Sequence, residues 1–217
     1  MTADLFASVP DVRPSQESMA EGAVLLRGLA NTFEADLIAD LRDIVEQAPF
    51  RHMVTPGGYQ MSVAMTNCGG VGWVTDRSGY RYDANDPETR RPWPAMPPSF
   101  RELAEQAANH GGFNGFSPDA CLINRYQPGA RMSLHQDKDE YDFNAPIVSV
   151  SLGLPAIFLF GGLKRSDKPR RFRLEHGDIV VWGGPARLAF HGVAALADGE
   201  HALMGRRRIN LTFRKVR

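Results

Sequence analysis

Cysteine is scarce: Cys68 and Cys121 stand alone in 217 residues, with no CxxC and no paired spacing. That argues against a disulfide framework and against a thiolate metal site, and leaves two buried or idle thiols in a reducing compartment. Net charge is lacking too, because 25 basic side chains balance 25 acidic ones, so no global attraction to a polyanion follows. No stretch approaches the roughly 18 apolar residues of a membrane span. The opening MTADLFASVPDVRPSQE mixes acids and prolines ahead of any long apolar run, unlike a secretory or transit segment. The expectation is a soluble, cytoplasmic chain with no membrane partner.

With 43% hydrophobic residues the chain can bury one substantial core, which predicts a single domain over 1–217. Residues 1–20, interrupted by Pro10 and Pro14 and without apolar periodicity, read as a loose N-terminal arm. The apolar run from Gly22 to Leu29 reads as a strand. Asn31 with Glu34 is a helix-start signature, and Leu37, Ile38, Leu41, Ile44 and Val45 then line one helical face until Pro49. A second helix opens at Ser99 with Glu102, turns Phe100, Leu103, Ala104 and Ala107 inward, and closes at Gly111-Gly112. Residues 50–97 are punctuated by Gly and Pro and rich in aromatics and Met, as either a cover over a site or a long irregular loop would be.

From 117 to 217 the texture becomes β-rich: ACLINRY, PIVSVSLGL, AIFLFGG, RFRLEHG, DIVVWGG, RLAFHGV and RINLTFRKV, each bounded by turn residues. Seven short, closely spaced strands predict a mainly β fold with flanking helices (α+β), an antiparallel double sheet of jelly-roll type. Basic residues cluster between Lys164 and Arg173 and again at Arg206, Arg207 and Arg208; either run could simply be a solvated charged face.

In LHQDKDE, His135 and Asp137 stand at i and i+2, so an extended backbone aims both side chains to one side. Such a pair is common by chance, and an Asp orienting a surface His is the ordinary alternative. His191, in a separate predicted strand, can complete a set of two imidazoles and one carboxylate. That set leaves three positions of an octahedron open, as non-heme iron(II) requires, whereas zinc favours closed tetrahedra. His176 sits at a tight turn between strands, and His52, His110 and His201 lack a carboxylate at i+2. In RINLTFRKV, Ile209, Leu211 and Phe213 fall on one face and Arg208, Asn210, Thr212 and Arg214 on the other. If the polar face points inward, each buried guanidinium needs a partner, which a dicarboxylate ligand supplies. If the strand lies at an edge, the same face simply meets water. Asn124 and Tyr126 share a face of LINRY, and Ser149 could lie near them.

Together these segments, with FRHMVTPGGYQMSVAMTNCG and LEHGDIVVWGG, closely resemble the bacterial AlkB-type nucleic-acid demethylases over nearly the whole length. The resemblance implies a double-stranded β-helix with an N-terminal helical extension, a nucleotide-recognition lid over 50–97 and a catalytic core over 117–217. It implies Fe(2+) on His135, Asp137 and His191, with 2-oxoglutarate and O2 as cosubstrates. The 2-oxoglutarate would be held by Asn124, Tyr126, Arg208, Asn210 and Arg214, with Arg208 at the carboxylate nearer the metal and Arg214 at the distal one. Substrate contacts are implied for Trp73, stacking on a flipped base opposite His135, for Tyr80 at the nucleotide backbone, and for Met65, Arg131, Asp139 and Arg165. Thr55 and Tyr59 would sit at the phosphates.

The implied activity is oxidative removal of N-alkyl groups, as in 1-methyladenine or 3-methylcytosine, from single- or double-stranded DNA and also RNA, by a monomer repairing alkylation damage. The sequence departs from the family pattern at Arg131, where lysine is usual, at Tyr141, where proline is expected, and at Phe190, where tyrosine precedes the second histidine. These departures bear on substrate choice. Two alternatives remain at this level: the same oxygenase core acting on tRNA, a protein or a small metabolite, and a jelly-roll binding module whose metal is structural or absent.

Overall fold

The computed structural model describes residues 15–217. Strands β1 (Gln16–Ala20) and β2 (Ala23–Leu26) form an opening hairpin. It turns at Gly22, where φ is 75° and a Cβ would lie 2.5 Å from the Gly183 carbonyl oxygen, so no side chain fits. A 3-10 turn over Leu29–Phe33 leads into helix α1 (Glu34–Gln47). Strands β3 (Ala64–Gly69), β4 (Gly72–Asp76) and β5 (Gly79–Asp83) precede helix α2 (Pro98–His110). Then come β6 (Ala120–Tyr126), β7 (Met132–His135), β8 (Ile147–Gly153) and β9 (Ala156–Phe160). The last strands are β10 (Arg170–Leu174), β11 (Ile179–Trp182), β12 (His191–Val193) and β13 (Arg208–Arg214).

Seven strands pair in the order β1-β2-β11-β8-β13-β6-β3, four in the order β10-β9-β12-β7, and β4 pairs with β5 alone. Strand alternation sorts their side chains into two cores. Val148, Val150, Val181, Leu211 and Phe213 face the helices and pack on Leu37, Leu41, Ile44, Phe100 and Leu103. The opposite face of the larger sheet meets the smaller one over Leu122, Tyr126, Phe158, Phe160 and Trp182. Two antiparallel sheets face to face, with both helices on one outer surface, make the jelly-roll architecture that the strand spacing predicts. Among the described residues no helix is long and apolar enough to cross a membrane.

The structure corrects several boundaries. Residues 16–20 are no loose arm: they pair with β2 from Gln16↔Leu26 onward, and Met19 is buried in the inter-sheet core. A single buried side chain among polar neighbours gave no periodic signal; residues 1–14 lie outside the described residues. The predicted strand over Gly22–Leu29 is shorter, because Leu29 already begins the 3-10 turn. Asn31 lies within that turn, and α1 starts at Glu34 with no side-chain cap. Helix α2 starts instead on Pro97 and Pro98, and Ser99 donates its hydroxyl hydrogen to Asp40 of α1, tying the two helices together. Within 50–97, β3 is a strand of the larger sheet and only β4–β5 stands apart, so the core extends beyond 117–217 to β1, β2 and β3. The edge-strand reading of β13 fails, since β8 and β6 flank it and its polar face is buried.

Candidate metal and cosubstrate site

Strands β7 and β12 run side by side with His135 directly opposite His191. The register depends on Gly192, where a Cβ would come within 2.7 Å of the Met132 carbonyl oxygen. Just past the end of β7, Asp137 turns its Oδ1 toward both rings, 3.6 Å from His135 Nε2 and 3.8 Å from His191 Nε2. The three side chains can hold one metal ion. Each ring is oriented from behind: Nδ1 of His135 donates to the Ser133 carbonyl at 2.9 Å and Nδ1 of His191 to the Ala189 carbonyl at 3.0 Å. Because a carbonyl only accepts, the proton sits on Nδ1 and the Nε2 lone pairs converge on the centre. Burial, together with His135 alongside, pushes His191 down to about 4, so it is neutral near pH 7, as a metal ligand must be.

The second oxygen of Asp137 is occupied. Oδ2 accepts from Arg214 Nε at 2.9 Å and from its terminal nitrogen at 2.6 Å. Burial alone would raise the Asp137 carboxyl, but Arg214 and the two histidines outweigh it and hold it well below the usual carboxylate range. One oxygen is thus left for a cation while the other is fixed by a bidentate arginine.

Between the sheets, beside this triad, a cavity is lined by Asn124, Tyr126, Ser149, Arg208, Asn210 and Arg214. All five residues predicted to hold a cosubstrate therefore meet in one place. Asn210 donates to Ser149 Oγ at 2.8 Å and its Oδ1 accepts from Asn124 at 3.2 Å and from the Thr212 hydroxyl at 3.0 Å. Arg208 is only 1% exposed. Its terminal nitrogen donates to Ser151 Oγ at 2.8 Å, its guanidinium lies 5.1 Å from the Tyr126 ring centre, and no carboxylate pairs with it among the described residues. Burial lowers its pKa from the ordinary arginine value, with Tyr126 opposing. Its Nε and other terminal nitrogen are buried without a partner, as are Asn124 Oδ1 and one terminal nitrogen of Arg214. Orphaned donors on a buried cation cost too much to persist unless an anion completes them.

That distribution reverses one implied assignment. Arg214, bonded to Asp137, is the arginine beside the metal ligands, and Arg208, near Tyr126 and Ser151, is the one set away from them. Both project from the same face of β13, and the sequence carries no signal for which end of that strand lies against β7.

The lid side chains take defined places. Asn67, fully buried, clamps the Trp73 backbone through both its amide nitrogen and oxygen at 3.0 Å. The Trp73 indole stacks on Tyr80 with ring centres 5.7 Å apart and donates Nε1–H to Asp139 at 2.8 Å. Thr55 closes a turn with Tyr59, which is 79% exposed. Arg131 is exposed on the strand-side loop, its backbone N–H donating to Ser62. Arg165 lies 5.3 Å over the Phe190 ring. Met65 departs from the rest: at 1% exposure it is part of the inter-sheet core in β3 and is not open on the lid surface.

A buried network escaped the sequence reading. Glu140 accepts from the Tyr82 hydroxyl at 2.5 Å and from Arg187 at 3.0 Å, and lies 3.4 Å from Arg214. Arg187 also donates to the Asp137 backbone carbonyl at 2.8 Å. The β4–β5 hairpin, the Asp137 loop and β13 are therefore joined through one carboxylate. Arg187, a lone cation in an apolar stretch four residues before His191, was the available signal.

A jelly roll carrying two histidines and one aspartate at the end of facing strands, beside a buried arginine without its anion, defines a metal-dependent oxygenase that uses a carboxylic cosubstrate. The chain belongs to the 2OG-Fe(II) oxygenase superfamily, whose model matches residues 22–214. Within it, the alpha-ketoglutarate-dependent dioxygenase AlkB of Escherichia coli (strain K12) is 61% identical over 98% of this chain and 97% of that protein. The tRNA demethylase abh1 of Schizosaccharomyces pombe is 34% identical over 67% of this chain and 52% of its own length. The solved structure of OsALKBH1 superposes with a TM-score of 0.81 at 28% identity, covering 92% of this chain and 99% of that one. Iron(II) and 2-oxoglutarate, which is α-ketoglutarate, are accordingly the cofactor and cosubstrate, with O2 as oxidant.

Proposed function

We propose that this dioxygenase demethylates N-alkylated bases of the 1-methyladenine and 3-methylcytosine type in DNA, reversing alkylation damage directly. The observation that carries the reading is the Trp73 indole, stacked on Tyr80 and tethered to Asp139 two residues beyond the metal-binding Asp137. A base must leave its stack for chemistry at a ring nitrogen, and an aromatic platform receives it. Both lesions are cationic, and the Asp139 carboxylate is the matching charge. The likeness to AlkB over almost the full length supports the same conclusion.

Bound iron(II) with 2-oxoglutarate supplies oxidising power: cosubstrate and O2 become succinate and CO2, and one oxygen atom converts an N-methyl group to N-hydroxymethyl. The hydroxymethyl adduct then breaks its C–N bond, returning the nitrogen lone pair and releasing formaldehyde. The protein binds and excludes. His135, Asp137 and His191 would hold the metal, Arg208, with its orphaned donors and Tyr126 beside it, would receive a carboxylate of 2-oxoglutarate, and Arg214 keeps Asp137 aimed. Asn124 and Asn210 orient the cosubstrate, while Phe158, Trp182 and Leu122 keep water from the walls. Thr55, Tyr59, Tyr80, Arg131 and Arg165 meet the strand carrying the lesion, while Met65 supports β3 from the inter-sheet core and makes no contact with the lesion.

RNA is the competing substrate, favoured by the likeness to a tRNA demethylase. The unit of function is a single-domain monomer in the cytoplasm, acting on single- or double-stranded nucleic acid. The test is anaerobic loading with iron(II) and 2-oxoglutarate, then O2 with methylated DNA or RNA oligonucleotides, reading formaldehyde by lesion. Succinate formed with protein or metabolite substrates, and none with nucleic acid, refutes the reading.

A further inference from the structure

Beside Asp139 a second cleft opens between the β4–β5 hairpin and the chain after β13, lined by Tyr80, Tyr82, Asp139, Tyr141, Val216 and Arg217. Tyr141 is 84% exposed and Tyr80 52%. Lone exposed aromatics are ordinary, but Tyr141 stands on a rigid base. Glu140 beside it is buried in the Tyr82–Arg187–Arg214 network, and the Tyr141 backbone N–H donates to the Val216 carbonyl at 3.2 Å. The far wall is equally fixed, because Asp119 accepts from the backbone N–H groups of Val216 at 2.7 Å and Arg217 at 3.0 Å. Arg81 is neutralised by Asp76 and Asp83, and Lys215 by Asp119. Arg217 is exposed and has no ion-pair partner among the described residues. An exposed aromatic ring on an anchored backbone next to an unpaired cation is the equipment for one nucleotide of a single strand, base on the ring and phosphate on the guanidinium.

We propose that this cleft is a subsite for the nucleotide adjoining the flipped one, with Tyr141 stacking on its base and Arg217 meeting its phosphate. The inference rests on the demethylase reading and adds a specificity element to it: preference for a lesion within a strand over an isolated nucleotide. Asp139 lies on both sides of the argument, lining the cleft while bonded to Trp73, so the flipped and adjoining bases would be neighbours.

The experiment compares kcat/KM for a trinucleotide carrying central 1-methyladenine with that for the 5′-phosphorylated 1-methyladenine mononucleotide, using the iron- and 2-oxoglutarate-loaded enzyme. Base–aromatic stacking predicts that Tyr141→Ala lowers the ratio of the two about tenfold, whereas Tyr141→Phe preserves it. An abasic residue at one flanking position of the trinucleotide, and not at the other, should erase the difference between wild type and Tyr141→Ala. Arg217→Gln should flatten the salt dependence of trinucleotide turnover. A ratio within twofold of wild type in Tyr141→Ala, or an equal fall in Tyr141→Phe, overturns the subsite. Wild-type enzyme that releases no formaldehyde from either substrate overturns the demethylase reading, and the subsite with it.

Discussion

Arg208 and Arg214 share one face of β13 but solve opposite electrostatic problems. Arg214 is paired with Asp137 and lies beside Glu140, which raise its pKa above the ordinary value against the effect of burial, and only one of its terminal nitrogens lacks a partner. Arg208 has no acid among the described residues and keeps orphaned N–H groups. Their substitutions should therefore separate. Arg208→Ala is expected to raise the KM for 2-oxoglutarate at least about thirtyfold with iron affinity retained, since truncating one side of a buried charge pair costs about 2–5 kcal/mol. Arg214→Ala frees the Asp137 carboxylate and should weaken iron binding about 10- to 100-fold, the usual cost of losing a group that orients a metal ligand. Parallel titrations with iron(II) and with 2-oxoglutarate check both; if Arg208→Ala weakened iron binding instead, the arrangement described for the two arginines would be wrong. The metal residues themselves were legible from HxD and a later His, because ligand chemistry restricts residue types so strongly. Glu140 was not, since an acid beside a ligand motif looks like any solvated charge until Tyr82 and Arg187 are seen around it.

At the scale of elements, the site depends on two pairings that bring distant segments together. Strands β7 and β12 approach so closely at Gly192 that any side chain there must push the backbone of Met132 away. Gly192→Ala should spread His135 from His191 and lower iron affinity more than tenfold, with circular dichroism showing the sheets still formed; unchanged iron binding would refute the steric account. The second pairing is the Glu140 network. Replacing Glu140 by Gln removes a buried charge facing two arginines, for which about 3 kcal/mol of destabilisation is expected, or a fall of about 6–12 °C in Tm by thermal scan. Strand β6 and strands β8 to β13 were readable from turn residues and alternation, and so were both helices, whereas β7 was read only as an extended segment. β1 and β3 were not: β1 buries only Met19 among polar neighbours, and β3 joins the sheet through long-range pairing with β6, so neither carries a clear local periodicity. The start of α1 was misplaced because of a tertiary contact: the Gly177 carbonyl accepts from the Ala30 backbone N–H, and that contact, not a local cap, sets the turn before the helix.

For the whole molecule, the two sheets act as a press whose inner face carries a cluster of polar side chains at the cavity beside the metal residues. The alternation that sends Val148, Val150 and Leu211 to the helices sends Ser149 and Asn210 to the cavity, and Ser151 to the same side, where it accepts from Arg208. Fold stability and site construction thus use the same strands. 2-Oxoglutarate at about 100 times its Kd should stabilise the metal-loaded protein by about 2.7 kcal/mol, and the same concentration should give Arg208→Ala no more than about 0.9 kcal/mol. An iron(II) and 2-oxoglutarate centre acting on N-methylated bases must couple its three products, and one measurement reads that coupling directly. Enzyme loaded with iron(II) and 2-oxoglutarate is exposed to O2 with a 1-methyladenine oligonucleotide, and succinate, formaldehyde and unmodified adenine are counted together. The account predicts equal amounts of all three, abolished in Asp137→Ala; succinate without formaldehyde, or turnover surviving in Asp137→Ala, would contradict it.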